Sequence, residues 1–242
     1  MSIPLKVIII GASSGIGRAL ATIYSRRGCE VGLVARRVAL LNALQEELPT
    51  KSFIREADLT EPEKAIAQVK SLIEEMQGVD IVIINSGIYL NNPEIDWKKD
   101  KKTIDVNVTG FSAIAHVALR HFFQMGRGHL VGISSVSGIR GEGYSPLYSA
   151  SKAFISNYLE GVRHRMAQEK RAIFVTDILP GWVDTDMAKG ENTFWMVSAE
   201  EAATDIYFAI DKKRSHAYIT KRWCLYAWLV KYAPKWFYDM FF

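Results

Sequence analysis

Short, continuously apolar segments alternate with helical segments along the chain, and this alternation restricts the fold more than any other feature. The first apolar run, Leu5–Ile10, is rich in Val and Ile, and comparable runs recur downstream. Runs without polar alternation suit strands that are buried on both faces, as in a parallel sheet. The predicted strands are Leu5–Ile10, Glu30–Ala35, Lys51–Glu56, Ile81–Ile84, Gly128–Ile133, Ala172–Leu179 and Ala217–Thr220.

Helical patterns of apolar residues fill many of the intervals between these strands. The predicted helices are Ile16–Arg27, Val38–Leu48, Glu61–Met76, Asp100–Met125 and Pro146–Gln168. Repeated strand–helix–strand units predict an α/β fold, a Rossmann-type doubly wound parallel sheet of about seven strands with helices on both faces in three layers. Because the sequence shows no linker and no internal repeat, we expect residues 1–242 to form a single domain.

A glycine-rich turn joins the first predicted strand to the first predicted helix. Glycine lets a ligand approach the backbone closely, and a helix N-terminus presents free N–H groups to a phosphate. The spacing Gly-x-x-x-Gly-x-Gly differs from the more usual Gly-x-Gly-x-x-Gly, and a tight turn without a ligand is the alternative. At the first βα junction the pattern favours dinucleotide binding. The candidate residues are Gly11, Ser13, Ser14, Gly15, Ile16 and Gly17.

The end of the second predicted strand indicates which dinucleotide would bind. Sites for NAD commonly carry an acidic residue there, which binds the ribose 2′-hydroxyl. This chain has Ala35 and then Arg36, whose guanidinium could bind a 2′-phosphate in bidentate fashion. Arg18, next to Gly17, could add a second cation, although both arginines could also be solvated residues near helix starts. We therefore expect NADP(H) rather than NAD(H).

Tyr148 and Lys152 lie four residues apart, which places both on one face of a helix. A phenol titrates near about pH 10 in isolation, and a neighbouring positive charge favours the phenolate. A tyrosine in that setting can exchange a proton with a carbonyl or alcohol oxygen. The same pair also occurs by chance on surface helices, so its interpretation depends on the other motifs.

Taken together and in order, these motifs resemble the short-chain dehydrogenase/reductase family, in its compact branch of about 250 residues, over about Val7 to Asp186. Ser135 precedes Tyr148 by thirteen residues, as in the family pattern. Two departures are visible, since Ile10 stands where the family usually has Thr and Ser86 where it usually has Ala. The other matching residues are Gly11, Gly15, Gly17, Asp58, Leu59, Asn85, Gly87, Asn107, Tyr148, Lys152, Pro180, Gly181, Val183 and Thr185.

The resemblance implies a role for each group. Tyr148 would transfer the proton and Ser135 would stabilise the substrate oxygen. Taken alone, Ser134 and Ser135 could instead cap a turn, and Asn107 could be an ordinary polar residue of its helix. Lys152 would lower the pKa of Tyr148 and hold the nicotinamide ribose, while Asn107 would position a water that relays protons to Lys152. Asp58 and Leu59 would contact the adenine, and the segment from Pro180 to Thr185 would lie beside the nicotinamide.

Aromatic residues dominate the segments expected to contact the substrate. Residues 186–200 match the family's mobile flap and include Met187, Phe194 and Trp195, which suggests an apolar substrate, although packing against the core is the alternative. Residues 221–242 form an aromatic C-terminal extension with interspersed lysines and arginines. Three interpretations of this extension are open: an interface in a homodimer or homotetramer, a wall of the substrate pocket, or contact with a membrane surface.

Composition and charge indicate which classes of function are not expected. A net charge of +4 without a long basic stripe gives no support for nucleic-acid binding, and no metal site is expected. Two cysteines, an N-terminus without a signal-peptide pattern and no apolar run near 20 residues lead us to expect a cytoplasmic protein. The favoured function is an NADP-dependent oxidoreductase for a carbonyl or alcohol substrate. The alternative is a catalytically silent NADP-binding regulatory or scaffold protein of the same fold.

Overall fold

Seven parallel strands form one sheet in the order β3-β2-β1-β4-β5-β6-β7 in the computed structural model, which describes residues 4–188, 195–236 and 238. This confirms the predicted fold class. Each observed strand overlaps its predicted run, and the ends differ by one residue at most. The strands are β1 Lys6–Ile10, β2 Glu30–Ala35, β3 Ser52–Glu56, β4 Ile81–Ile84, β5 Arg127–Ile133, β6 Ala172–Pro180 and β7 His216–Ile219.

Helices cover both faces of the sheet, and most of them lie where the sequence predicts. Residues 186–200 and 221–242 are described only in part, so Phe194, Phe237, Phe241 and Phe242 lie outside the described residues. The helices are α1 Gly15–Arg26, α2 Val38–Glu47, α3 Pro62–Glu75, α4 Trp97–Ile104, α5 Phe111–Met125, α6 Pro146–Gln168, α7 Ala199–Asp211 and α8 Arg222–Tyr232.

Two of these elements differ from the sequence prediction. The single predicted helix Asp100–Met125 consists of α4, a π-helical segment at Asp105–Gly110, and α5. The last residue of the π-helical segment, Gly110, packs directly on Leu59. A side chain at position 110 would clash, because its Cβ would lie 2.5 Å from the Cβ of Leu59. Helix α7 was not predicted, although Ser198 and Glu201 form a capping box at its start, which is a sequence signal for a helix.

Burial on both faces of the sheet accounts for the unbroken apolar runs. In β1, Ile8 and Ile10 belong to a core with α3 and α5, whereas Val7 and Ile9 belong to a second core with α1, α2 and α7. Successive strand residues point to opposite faces, so a strand covered on both sides must be apolar at every position. Polar groups that bind a ligand must therefore lie beyond the strand ends.

The order of the strands determines where such groups meet. Strand β1 pairs with β2 on one side and with β4 on the other, so the chain winds outward from β1 in both directions. A crevice forms at the carboxyl ends of β1 and β4, where ligands bind in open parallel sheets. Within the described residues, no helix has both the length and the apolar character needed to cross a bilayer.

Helix α2 offers a matched test of this packing. Leu44 is fully buried, whereas Leu40 on the same helix is 39% exposed. Leu44→Ala is expected to lower the free energy of unfolding by about 2–5 kcal/mol because it leaves a cavity. Leu40→Ala should cost less than about 1 kcal/mol. Urea denaturation measures both values, and equal losses would contradict the placement of α2.

Candidate active site

A cleft of about 860 Å³ runs along the carboxyl ends of the strands. The glycine-rich turn after β1 lines one end of it, and aromatic residues of the C-terminal segment line the other. Tyr148, Lys152 and Ser135 lie on its wall. The structure therefore brings residues that are more than 200 positions apart in the chain into one site. Of the predicted site residues, Gly17, Arg18 and Asn107 do not line the cleft directly.

The glycine-rich turn is held closely against the ends of three strands. Gly11 has a φ of +88°, which favours glycine, and its N–H donates to the carbonyl of Val34 at 2.7 Å. The carbonyl of Gly11 accepts from Asn85 Nδ2 at 3.0 Å. A Cβ on Gly17 would lie 2.1 Å from that same carbonyl oxygen, so α1 can approach the turn only with glycine there.

The first turn of α1 has no side-chain cap. Ser14 is the N-cap residue, yet its hydroxyl accepts from Arg37 instead of bonding to the helix backbone. Because no side chain caps them, the N–H groups of the first turn can bind an anionic ligand, and the positive end of the helix dipole favours such a ligand. Ser13, Gly15 and Ile16 line the cleft at the same point.

The three arginines near the turn have different positions. Arg37 donates to Ser13 Oγ at 3.0 Å and to Ser14 Oγ at 2.6 Å, and it lines the cleft. Arg36 also lines the cleft and lies 3.5 Å from Asp58. The guanidinium of Arg18 instead donates to both carboxylate oxygens of Glu47, at 2.8 and 2.6 Å. The structure thus places Arg37, rather than Arg18, beside Arg36. The bond between Arg18 and Glu47 could not be read from the sequence, because the two residues are twenty-nine positions apart.

Asp58 and Leu59 follow β3 and line the cleft next to these arginines. Partial burial raises the pKa of Asp58, but hydrogen bonds from Thr60 and the charge of Arg36 outweigh it and hold the pKa below its usual value. Asp58 is therefore ionised at neutral pH. Asn85 and Gly87 continue the cleft wall after β4, and Ser86 contacts the turn, where its Oγ lies 2.8 Å from a Cβ placed on Gly11.

Tyr148 and Lys152 project from the first turns of α6 and are both buried. Lys152 Nζ lies 5.7 Å from the centre of the Tyr148 ring and donates to the carbonyl of Ile133 at 3.0 Å. Tyr148 is hydrogen-bonded to Ser135, and the ring of Tyr89 packs edge-on against it at 5.0 Å. A phenol, a hydroxyl and an ammonium thus share one region of the cleft wall.

Burial shifts the pKa values of Tyr148 and Lys152 in opposite directions. It raises the pKa of Tyr148 to about 12, with the hydrogen bond from Ser135 acting in the opposite direction. It lowers the pKa of Lys152 to about 8, against the attraction of the Asp177 carboxylate. Groups with strongly shifted pKa values in a cleft are typical of sites that transfer protons.

Asn107 lies in the π-helical segment and is completely buried. Its Oδ1 accepts from the N–H of Ile88 at 2.8 Å, while its Nδ2 donates to the carbonyl of Ile88 at 2.9 Å and to Ser151 at 3.0 Å. These bonds fasten the chain after β4 to α6. Between the two elements lies Gly87, where an added Cβ would be 3.2 Å from Lys152 Nζ and 3.5 Å from Asn107 Oδ1.

Two residues without a predicted functional role support Ser135. Ser134 donates from Oγ to Asp177 Oδ1 at 2.5 Å and to the carbonyl of Ile178 at 2.9 Å. These bonds fix the end of β5 to β6, immediately before Ser135. Asp177 was detectable in principle, since an acidic residue inside an otherwise apolar strand requires a buried partner.

The opposite wall of the cleft is aromatic and comes from distant parts of the chain. Pro180 ends β6, Gly181, Val183 and Thr185 follow it, and all four line the cleft. Trp223 covers Gly181 so closely that a Cβ there would lie 2.0 Å from its indole ring. Other aromatic and apolar residues that line the cleft are Tyr89, which packs against Tyr148, and Tyr144, Trp182, Met187, Trp223, Tyr226, Val230 and Tyr238. Ile139 packs behind them with Trp223.

Arg140, also absent from the sequence prediction, holds this wall in place. Its guanidinium donates to the carbonyls of Val230 at 3.2 Å and Ala233 at 2.8 Å, which are at the end of α8. The same group stacks on the ring of Tyr238 at 3.9 Å, and the Tyr238 hydroxyl donates to the carbonyl of Gly141 at 2.8 Å. The C-terminal segment is therefore fastened to the loop between Ser135 and Tyr148.

Comparison with known proteins identifies the relatives of this chain. The family model described as short chain dehydrogenase matches residues 5–194. An uncharacterised oxidoreductase of Mycobacterium tuberculosis is 34% identical over 237 residues, which cover 93% of this chain and 91% of that protein. Another uncharacterised oxidoreductase, from Myxococcus xanthus, is 35% identical over 190 residues, which cover 76% of this chain and 74% of that protein.

Solved structures share the fold over most of its length. A short-chain dehydrogenase from Sphingobium yanoikuyae in complex with NADPH superimposes with a TM-score of 0.80 at 27% identity, covering 93% of this chain and 92% of that one. A short-chain dehydrogenase/reductase from Burkholderia phymatum in complex with NAD has a TM-score of 0.86 at 18% identity, with 94% and 92% covered. At that identity, the second similarity concerns the fold alone.

Proposed function

The chain belongs to the short-chain dehydrogenase/reductase family, a family of oxidoreductases that use nicotinamide cofactors, and we propose that it is an NADP-dependent enzyme for an apolar carbonyl or alcohol substrate. One observation carries the proposal: Tyr148, Ser135 and Lys152 lie together on the wall of a cleft that also contains the glycine-rich turn. A carbonyl oxygen beside Tyr148 and Ser135 would meet a proton donor and a hydrogen-bond donor at once.

The cleft has the shape and chemistry to hold a dinucleotide. Its volume lies near the upper end of the range for small-molecule sites, which is about 1,000 Å³. The uncapped first turn of α1 suits a pyrophosphate, and the pocket at Asp58 and Leu59 suits an adenine. Asn85, Gly87 and the residues from Pro180 to Thr185 would hold the nicotinamide half. When bound, the nicotinamide supplies or accepts a hydride.

Tyr148 is the proton donor in this proposal. In the reducing direction, its hydroxyl gives a proton to the substrate oxygen as negative charge develops there, and it regains the proton from the alcohol in the other direction. Ser135 donates a hydrogen bond to the same oxygen and so stabilises the developing charge. Because Ser134 and Asp177 fix the end of β5, Ser135 is already in position before the substrate arrives.

Lys152 and Asn107 act through Tyr148. The ammonium of Lys152 favours the phenolate that remains after proton transfer, and its bond to Ile133 keeps it near the ring. Asn107 holds the backbone around Ile88 and lies close to the same ammonium across Gly87. The family role in which it places a water for proton relay to Lys152 agrees with this proximity.

The choice of NADP over NAD rests on the end of β2. Ala35 provides no carboxylate for a ribose 2′-hydroxyl, whereas Arg36 and Arg37 place two guanidinium groups on the cleft wall. A 2′-phosphate could bind between them through charge-assisted hydrogen bonds. Each guanidinium has an acidic neighbour, since Asp58 lies 3.5 Å from Arg36 and Asp186 lies 3.9 Å from Arg37, and Arg37 is also held by the hydroxyls of Ser13 and Ser14.

The substrate class follows from the aromatic wall. Side chains of Trp182, Trp223, Tyr226 and Val230 line the cleft, and the charged residues near them in its lining are Arg140, Glu142 and Asp186. Apolar surfaces of this kind bind ligands mainly by burial of apolar area. We therefore propose a bulky apolar ketone, aldehyde or secondary alcohol, with Met187 and the partly described flap at the cleft edge.

Tyr148→Phe is expected to lower kcat for carbonyl reduction by about 10²–10⁴, because it removes the proton donor and little else. NADPH oxidation against a panel of ketones and aldehydes measures the loss. Tyr144→Phe is the matched control, since Tyr144 lines the same cleft but is 65% exposed, and it should retain nearly full activity. Wild-type rates from Tyr148→Phe would refute the mechanism, and NADPH binding without turnover by the native protein would favour a silent binding protein.

The pH dependence of reduction is expected to reflect Lys152. Reduction needs the protonated phenol and the charged ammonium, and burial lowers the pKa of Lys152 to about 8. The value of kcat/KM should therefore be level below that pH and fall as the pH rises through it. Lys152→Arg keeps its charge at high pH and should move the falling limb upward. If kcat/KM falls at the same pH in the native protein and in Lys152→Arg, the titration of Lys152 is not the cause of the fall.

Arginine substitutions test the choice of cofactor. Arg37→Ala and Arg36→Ala should each raise the KM for NADPH by about tenfold or more, because each removes a charged hydrogen-bond donor, and should change the KM for NADH far less. Arg18→Ala is the control and should alter neither value, since Arg18 bonds to Glu47 outside the cleft. A native enzyme that prefers NADH would overturn the NADP proposal.

A further inference from the structure

Helix α8 is apolar on two opposite faces. Trp223, Ala227 and Val230 face inward and are 2%, 2% and 7% exposed, so one face is fully used in packing. The opposite face carries a second apolar surface, here called the outward stripe. It consists of Leu225, Trp228, Leu229 and Tyr232, with exposures of 61%, 59%, 53% and 66%. A helix with an unburied apolar face normally has a partner that covers it.

Cationic side chains border the outward stripe. At about 100° per residue, Arg222 and Lys231 fall on opposite flanks of the helix, and Lys221 precedes its first turn. The guanidinium of Arg222 is held against Trp195, whose carbonyl accepts from it at 3.0 Å, so the cations that border the stripe are Lys221 and Lys231. Lys235 follows shortly after its end. Long cationic side chains can lie along an apolar surface while their charged ends reach a polar layer above it. An apolar centre bordered by cations is the arrangement of a helix that lies in a membrane interface.

The charge of the segment points in the same direction. Residues 212–242 include seven lysines and arginines and one acidic residue, Asp239. Trp and Tyr, both present in the outward stripe, are favoured at the boundary between lipid headgroups and acyl chains. The chemistry that complements this surface is therefore a shallow apolar layer beneath a layer of negative charge.

We propose that the outward stripe of α8 binds the surface of an anionic lipid bilayer, with the helix parallel to the membrane plane. A second copy of the chain fits less well. In a twofold pairing through this face, the same patch meets itself, which would bring Lys231 and Lys235 of the two copies together, with Asp239 as the one acidic residue in the sequence from 221 to 242.

The position of α8 connects this surface to the cleft. The inward face of the helix contributes Trp223 and Val230 to the cleft wall, and Arg140 holds the end of the helix through two carbonyls. Lipid contact on the outward face would therefore bring the cleft to within about one helix diameter, about 10 Å, of the bilayer. Because α8 is packed before any lipid is present, binding would not need to order it.

Vesicle co-sedimentation of the full-length protein tests the proposal. Vesicles of phosphatidylcholine alone are compared with vesicles that contain about 30% phosphatidylglycerol, at low and high salt. The native protein should bind the anionic vesicles at least about tenfold more strongly, and high salt should weaken this binding. Trp228→Ser with Leu229→Ser should reduce binding about tenfold or more through loss of buried apolar area. Lys231→Gln with Lys235→Gln should weaken it by a similar factor.

The control is Trp97→Ser, which removes a tryptophan of similar exposure, 65%, from a different helix and should leave binding unchanged. Thermal unfolding and NADPH oxidation confirm that each variant is folded, since none of the substituted residues lines the cleft. Failure of the native protein to bind anionic vesicles would overturn the proposal, as would equal losses in Trp97→Ser. A native oligomer that dissociates in the Trp228 and Leu229 variant without any vesicle binding would assign the surface to a second copy instead.

Discussion

Burial of the parallel sheet on both faces is the constraint from which the site follows. With helices on each side, the strands have no polar face, and chemistry is restricted to the loops beyond their carboxyl ends. The winding of the chain outward from β1 opens a crevice between β1 and β4. The glycine-rich turn, the loop after β4 and the first turns of α6 all meet there, although they are far apart in sequence.

Within that crevice, the buried polar groups are fixed by partners in the protein itself. Lys152 is bonded to Ile133, Asn107 to Ile88 and Ser151, and Asp177 to Ser134. Satisfied networks in a low-dielectric setting are rigid, and unsatisfied ones are costly. The groups around Tyr148 are thus held in place by the fold, and the desolvation that shifts the pKa values of Tyr148 and Lys152 arises from the same packing.

Features that depend on local spacing were predictable, and features that depend on long-range packing were not. The seven strands followed from unbroken apolar runs, and the placement of Tyr148 and Lys152 on one helix face followed from their four-residue spacing. The π-helical segment at Asp105–Gly110 did not, and the close packing of its Gly110 on Leu59, fifty-one positions away, has no local signal either. Arg18 was expected near the cofactor, but a bond to Glu47 turns it away and Arg37 lies over the turn. The packing of Trp223 on Gly181, forty-two positions apart, carries no local signal.

The aromatic wall has a consequence for how enzymes of this type could diverge. The family match ends at residue 194, whereas Trp223, Tyr226 and Val230 of that wall lie beyond it. The elements that surround Tyr148 and the glycine-rich turn are thus encoded separately from one side of the pocket. Exchange of the segment from Arg222 onward, which begins after β7, could change what the cleft admits while the reactive groups stay where they are, so this architecture is modular in sequence although it is continuous in space.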